Sequence, residues 1–186
     1  MNVRNVLRIL RRGLLCLAAS ALLWSWIFNF LTDTGRENKI VVYADMKDFR
    51  WKELAAALEE NAPEGIRFVQ VHPFGYAMMN SADLEQADLY IMTASQAREY
   101  AGLIAPPRED LPAQFGPEPL GNGLQGVPLR RAGSDSAAAS AYLSYGEQPD
   151  ESWYLFPGAA SLHWRSAENS LDDAALETAG RLLEIR

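Results

Sequence analysis

The chain has 186 residues, of which 48% are hydrophobic and 22% charged, a globular balance with room for one core and hardly two. Four of its 17 basic residues and none of its 24 acidic ones fall in the first 31 positions, so the remainder sets 13 basic residues against 24 acidic ones, a formal charge of −11. Such a surface repels nucleic acid and offers no polybasic patch to anionic lipid, which excludes a nucleic-acid partner.

The N-terminal segment carries Arg4, Arg8, Arg11 and Arg12, followed by Gly13 to Leu31, 19 residues without a charge. That is about the length of a helix crossing a bilayer, and arginines before it with Asp33 after it follow the positive-inside bias. Trp24 and Trp26 suit an interfacial position near its outer end. The stretch "NFLTDTG", 29 to 35, lacks a small-x-small cleavage site, so an uncleaved anchor is favoured over a removed signal peptide. Cys16, the only cysteine, excludes an intramolecular disulfide. It reads as an apolar residue of the span, because Leu15 before it does not suit lipoprotein processing. The expected organisation is a cytoplasmic basic tip and transmembrane anchor over 1–35, then an extracytoplasmic α/β domain over 36–186, in the cell membrane with a single pass.

"KIVVYAD", 39 to 45, is an apolar, β-branched run ending in an acid and predicts a buried strand. Asp48 is the expected cap of a following helix, with Trp51, Leu54, Ala55 and Leu58 on one face. "IRFVQVHP", 66 to 73, predicts a second strand, and "FGYAMMNSADLEQ" a loop with a turn of helix. In "ADLYIMTASQAREYAGLIAPP", 87 to 107, residues 89 to 92 predict a third strand, Ser95 a cap, and Gln96 to Leu103 a helix that Pro106 and Pro107 cannot continue. Strand, helix, strand, then strand and helix argues for parallel pairing with right-handed crossovers. Further on, "GVPL" at 126 to 129 and "WYLFP" at 153 to 157 read as strands and "SAAASAYLSY" at 136 to 145 as a helix. Ser170 and Asp173 sit at capping-box spacing before a terminal helix with Leu171, Ala175, Ala179, Leu182 and Leu183 on one side.

Chemistry-bearing motifs are sparse. "GNGLQG", 121 to 126, has G-x-G-x-x-G spacing without the strand before and helix after that dinucleotide binding needs, so a flexible loop is the expectation. His72 and His163 have no second ligand at metal spacing, and the serines at 134, 136, 140 and 144 show no nucleophile-elbow pattern. No catalytic residue, metal or cofactor is expected, and an enzyme ranks last.

The order of these segments resembles the first lobe of the bacterial extracellular solute-binding proteins of ABC importers, the type II periplasmic-binding fold. "KIVVYAD", the unit at 87 to 107 and "GVPL" carry the likeness, and "WYLFPGAASLHW" and "DDAALETAGRLLEI" look like that family's return strand and the helix packed on its first lobe. The resemblance implies a three-layer α/β fold, a sheet with helices on both faces, reduced to a single lobe because the roughly 150 residues after the anchor amount to one domain. Open α/β sheets bind ligands beyond the carboxyl ends of their strands. The candidate ligand-binding residues are therefore Asp45 and Met46 after the first strand, Phe74 and Tyr76 after the second, and Thr93 and Ser95 after the third. A helix cap explains Ser95 without a ligand, and loop packing explains Phe74 and Tyr76. The expected function is a membrane-anchored solute-binding-like protein, an accessory of an ABC transporter that holds a small solute weakly in half a cleft. The alternative is an interaction module that binds no ligand and contacts transporter subunits, a sensor or itself.

Overall fold

The computed structural model describes residues 13–25, 35–46, 49–77, 81–134, 136–145, 150–165 and 171–185, without the side chains of Tyr76, Ala77 and Ser81. The expected caps Asp48 and Ser170, and positions 26 to 31 of the expected span, lie outside the described residues. The chain divides into two units, Met1–Gly35 and Arg36–Arg186.

Helix α1 (13–25) belongs to the first unit, and every one of its residues is exposed, Leu14, Leu17, Leu22 and Trp24 among them. Among the described residues no helix is long and apolar enough to cross a membrane.

In the second unit, six strands form one mixed sheet: β1 (Lys39–Ala44), β2 (Phe68–Pro73), β3 (Leu89–Thr93), β4 (Glu118–Gly121), β5 (Leu124–Arg130) and β6 (Trp153–Pro157), in the order β2-β1-β3-β6-β5-β4. β1 pairs parallel with both β2 and β3, as the order of elements predicted. β6 runs antiparallel between β3 and β5, and β4 closes the far edge as a hairpin partner of β5. β4, with the sequence EPLG, has no apolar run and is not among the strands expected from the sequence.

Side-chain alternation splits the core in two. Ile40, Val42 and Ala44 of β1, Leu89 and Ile91 of β3, and Trp153 and Leu155 of β6 share one cluster with Leu54 and Leu58 of α2 (Trp51–Glu59) and Ala175, Ala179 and Leu182. Tyr43, Tyr90, Met92, Tyr154 and Phe156 share the other with Ala97 of a short helix at 94 to 99. The sheet is therefore covered on both faces, and each fully buried leucine of α2 contributes about 1.5–3 kcal/mol. β2 is an edge strand. Its Val69 N–H is bonded at 3.0 Å by the Glu59 carboxylate reaching over from the end of α2.

Helices α3 (Phe74–Ala77) and α4 (Ser81–Glu85) are single turns between β2 and β3. Helix α5 (Ala94–Glu99) starts earlier than predicted. Its cap is Thr93, not Ser95: Thr93 Oγ1 accepts from Gln96 N–H while Gln96 Oε1 accepts from Thr93 N–H at 2.7 Å. That reciprocal pair needs a Gln or Glu three residues after the cap, which Thr93 has. The helix also ends sooner, giving way to a 3-10 turn at Ala101–Leu103.

Two further expectations are overturned. Residues 136 to 145 form turns rather than a helix: Ala139 sits at φ 49° and gives its N–H to Ile185 O, while Leu143 and Tyr145 are drawn into the core. Alanine's helix propensity is too small to hold so short a segment against those contacts. The terminal helix α6 (Ala174–Glu184) leaves Leu171 outside it and 62% exposed. Asp173 precedes α6 without capping it, because its carboxylate accepts from Arg108 Nη1 and from Arg165 N–H. "GNGLQG" is a tight hairpin rather than a flexible loop, with Asn122 and Gly123 both at positive φ between paired Gly121 and Leu124, the two-residue turn that matches strand twist.

Candidate functional site

Because β1, β2 and β3 are parallel, their carboxyl ends reach the same edge, and the six candidate residues follow from that edge. Asp45 is anchored by its N–H to Ile91 O at 2.9 Å. Burial, and secondarily Glu99, push its carboxyl above the usual carboxylate range. Met46 turns inward and is buried in the α2 and α6 cluster, away from the open edge. Phe74 lies edge-on to Tyr43 at 6.0 Å and within 6.2 Å of Tyr90 and 5.4 Å of Tyr100. It is packing for the second cluster. The Tyr76 side chain is outside the described residues. Thr93 is buried as the α5 cap, and Ser95 is exposed with its hydroxyl 2.9 Å from Thr93 Oγ1.

The edge thus brings Asp45, Thr93 and Ser95 onto neighbouring strand ends, with His72 beside them between the rings of Tyr43 (5.5 Å) and Trp51 (6.3 Å). Burial lowers the His72 pKa, and Asp83 partly opposes that. Chemically the open part offers a carboxylate and a hydroxyl, groups that accept hydrogen bonds. Among the described residues no three of His, Cys, Asp and Glu gather as a metal set.

A second polar centre, unforeseen in the sequence, lies ahead of β3 and after β6. Asp88 is buried; its Oδ2 accepts from Val41 N–H at 2.9 Å and its Oδ1 from the Ser161 hydroxyl at 2.5 Å. Ser161 Oγ in turn accepts from His163 N–H at 3.1 Å. The His163 ring is fully buried, with Nδ1 2.8 Å from Asp172 Oδ1 and Nε2 3.1 Å from the Arg36 carbonyl. Ser, His and Asp here have the composition of a catalytic triad without its geometry. Both ring nitrogens face other partners, so neither is placed to take the Ser161 proton. Burial raises the Asp88 pKa against the opposing effect of its two hydrogen bonds.

Beside this centre a cavity of about 390 Å³ is lined by Pro106, Pro107, Gly158, Ser161, Trp164 and Arg108. Arg108 spans Asp110 and Asp173, both at 2.8 Å, with its guanidinium 4.9 Å over the Trp164 ring. Those carboxylates hold its pKa above the ordinary guanidinium value, and Arg108 holds that of Asp110 down. The sequence signal for these pairs was absent, since Asp88 and Ser161 stand 73 positions apart and Arg108 and Asp173 stand 65 apart.

No known family, no curated protein and no solved structure matches the chain.

Proposed function

We propose that the chain is a membrane-anchored, extracytoplasmic solute-binding-like lobe that works beside an ABC transporter. One observation carries the reading: β6, the segment that resembles the return strand of solute-binding proteins, runs antiparallel between β3 and β5 while β1, β2 and β3 run parallel to a common open edge. The 22 residues between β5 and β6 are too few for a second lobe. The anchor of this reading is residues 13–31 with the N-terminus cytoplasmic, and the exposed leucines and Trp24 of α1 support its first part, 13–25. A solute at this edge meets one wall, where small-molecule sites ordinarily enclose most of their ligand. A transporter or sensor subunit supplies the other wall.

Calorimetry on the full chain in detergent micelles, titrated with common sugars, amino acids and short peptides, tests this. Binding weaker than micromolar alone, strengthened by a co-purified membrane partner, is the expected result. Micromolar binding by the chain alone overturns the half-cleft reading.

A second reading, an interaction module without a solute, is favoured by the loss of Met46 and Phe74 to internal packing. Crosslinking in cells that recovers neither a partner nor a self-contact overturns it.

A further inference from the structure

The cavity beside Ser161 sits at the end of the sheet opposite the candidate edge. β6 is antiparallel to β3, with Pro157 paired to Leu89, so the chain leaving β6 emerges where β3 begins. One wall is Ala105 to Arg108, after the 3-10 turn, and the other is drawn from residues 158 to 165. Main-chain bonds tie the two walls together: Ala105 N–H to Pro157 O at 2.9 Å, Ala159 N–H to Leu103 O at 2.8 Å, and a bridge between Ile104 and Gly158. Pro106 and Pro107 have a fixed φ, so little backbone freedom is left to lose when a guest enters. The volume, about 390 Å³, is that of a small-molecule site.

What the walls leave unserved defines the guest. Pro106, Pro107, Gly158 and Ala159 give it apolar contact. Trp164 lines the cavity and is only 5% exposed, yet no described residue accepts from its indole N–H. Arg108 makes four bonds to the carboxylates of Asp110 and Asp173, which leaves one N–H, on Nη1, without a described acceptor. Two donors therefore stand over an apolar floor. The charges of Arg108 and Arg165 cancel those of Asp110 and Asp173, and both arginines are already paired. A carboxylate entering here loses its hydration beside two others, and a cation brings no acceptor for the waiting donors. We propose that this cavity is a second ligand site, for a small, flat and uncharged molecule carrying a carbonyl oxygen, such as an aromatic amide or a lactam. The site is independent of the solute-binding edge, from which the length of the sheet separates it.

The probe is benzamide, with benzoate and benzylammonium as charged counterparts of the same shape, titrated into the full chain in uncharged detergent micelles. High salt removes general repulsion or attraction by the acidic surface. The readout is the indole ¹H–¹⁵N resonance of Trp164, assigned with Trp164→Phe, together with the amides of Gly158 and Ala159. Benzamide should shift these saturably in the millimolar range expected of so small a probe, and both ions should bind more weakly. Trp164→Phe keeps a ring but removes the donor, and should weaken benzamide roughly tenfold. Ala159 is exposed and lines the cavity, so Ala159→Leu fills its mouth without touching the core and should abolish the shifts while β3 amides stay in place. No saturable shift at Trp164, an ion binding as tightly as benzamide, undiminished binding in Ala159→Leu or Trp164→Phe, or shifts confined to Asp45 and Ser95 overturns the proposal.

Discussion

At Gly158 the backbone passes so close to the residues leading into β3 that a Cβ would stand 1.9 Å from Ala87 O. Gly158→Ala must therefore displace main chain, and a loss of about 3 kcal/mol is expected in urea unfolding. Asp88→Ala leaves the Val41 N–H and the Ser161 hydroxyl without their acceptor, and about 3 kcal/mol should again be lost. The isosteric Asp88→Asn makes a different point. Because folding raises the Asp88 pKa, the protonated form favours the native state, and that contribution is complete below the ordinary aspartate value and fades as pH rises through the raised one. Stability of Asp88→Asn measured from pH 3 upward should fall less with rising pH than that of the wild type. None of this was readable beforehand: an Asp before a strand and a Ser after another look like solvated loop residues until the sheet order places them together.

Among the elements, α5 and the β4–β5 hairpin show what short-range signals decide. Thr93→Ala removes a buried capping box and should cost about 1 kcal/mol, while Ser95→Ala, an exposed neighbour of the cap, should change the unfolding midpoint little. Asn122 occupies the left-handed region at φ 53°, so Asn122→Ala should lose about 1 kcal/mol in the same assay. Both features were legible in principle. Thr93 has its Gln three residues on, with Ser95 as a competing cap two residues along, and Asn-Gly flanked by strands is a hairpin signature that here overlaps the glycine spacing of a nucleotide motif. Strands β1, β2, β3, β5 and β6 were legible because each is a locally apolar run. The turn segment at 136 to 145 was not, since its conformation is set by bonds to the far end of the chain, such as that from Ala139 to Ile185.

For the molecule as a whole, the parallel half of the sheet followed from the alternation of strands and helices, but the insertion of β6 between β3 and β5 had no local signal. Pairing order is a long-range property, fixed here by which apolar faces the two clusters can bury together. The same limit applies to the candidate edge: strand ends were predictable, yet whether Met46 points to solvent or core depends on α2 and α6 closing over it.

The bond from Glu59 to Val69 bears on how copies of the chain behave in company. The outer strand ends in Pro73, which has no amide hydrogen, and one of its outward amides already has a carboxylate partner, so an extended peptide arriving there finds few donors and a negative charge. Glu59→Ala uncovers that border. Concentrated solutions of the variant should scatter more light and bind more amyloid-reporting dye than the wild type at equal concentration, and unchanged scattering would mean that other residues guard the border.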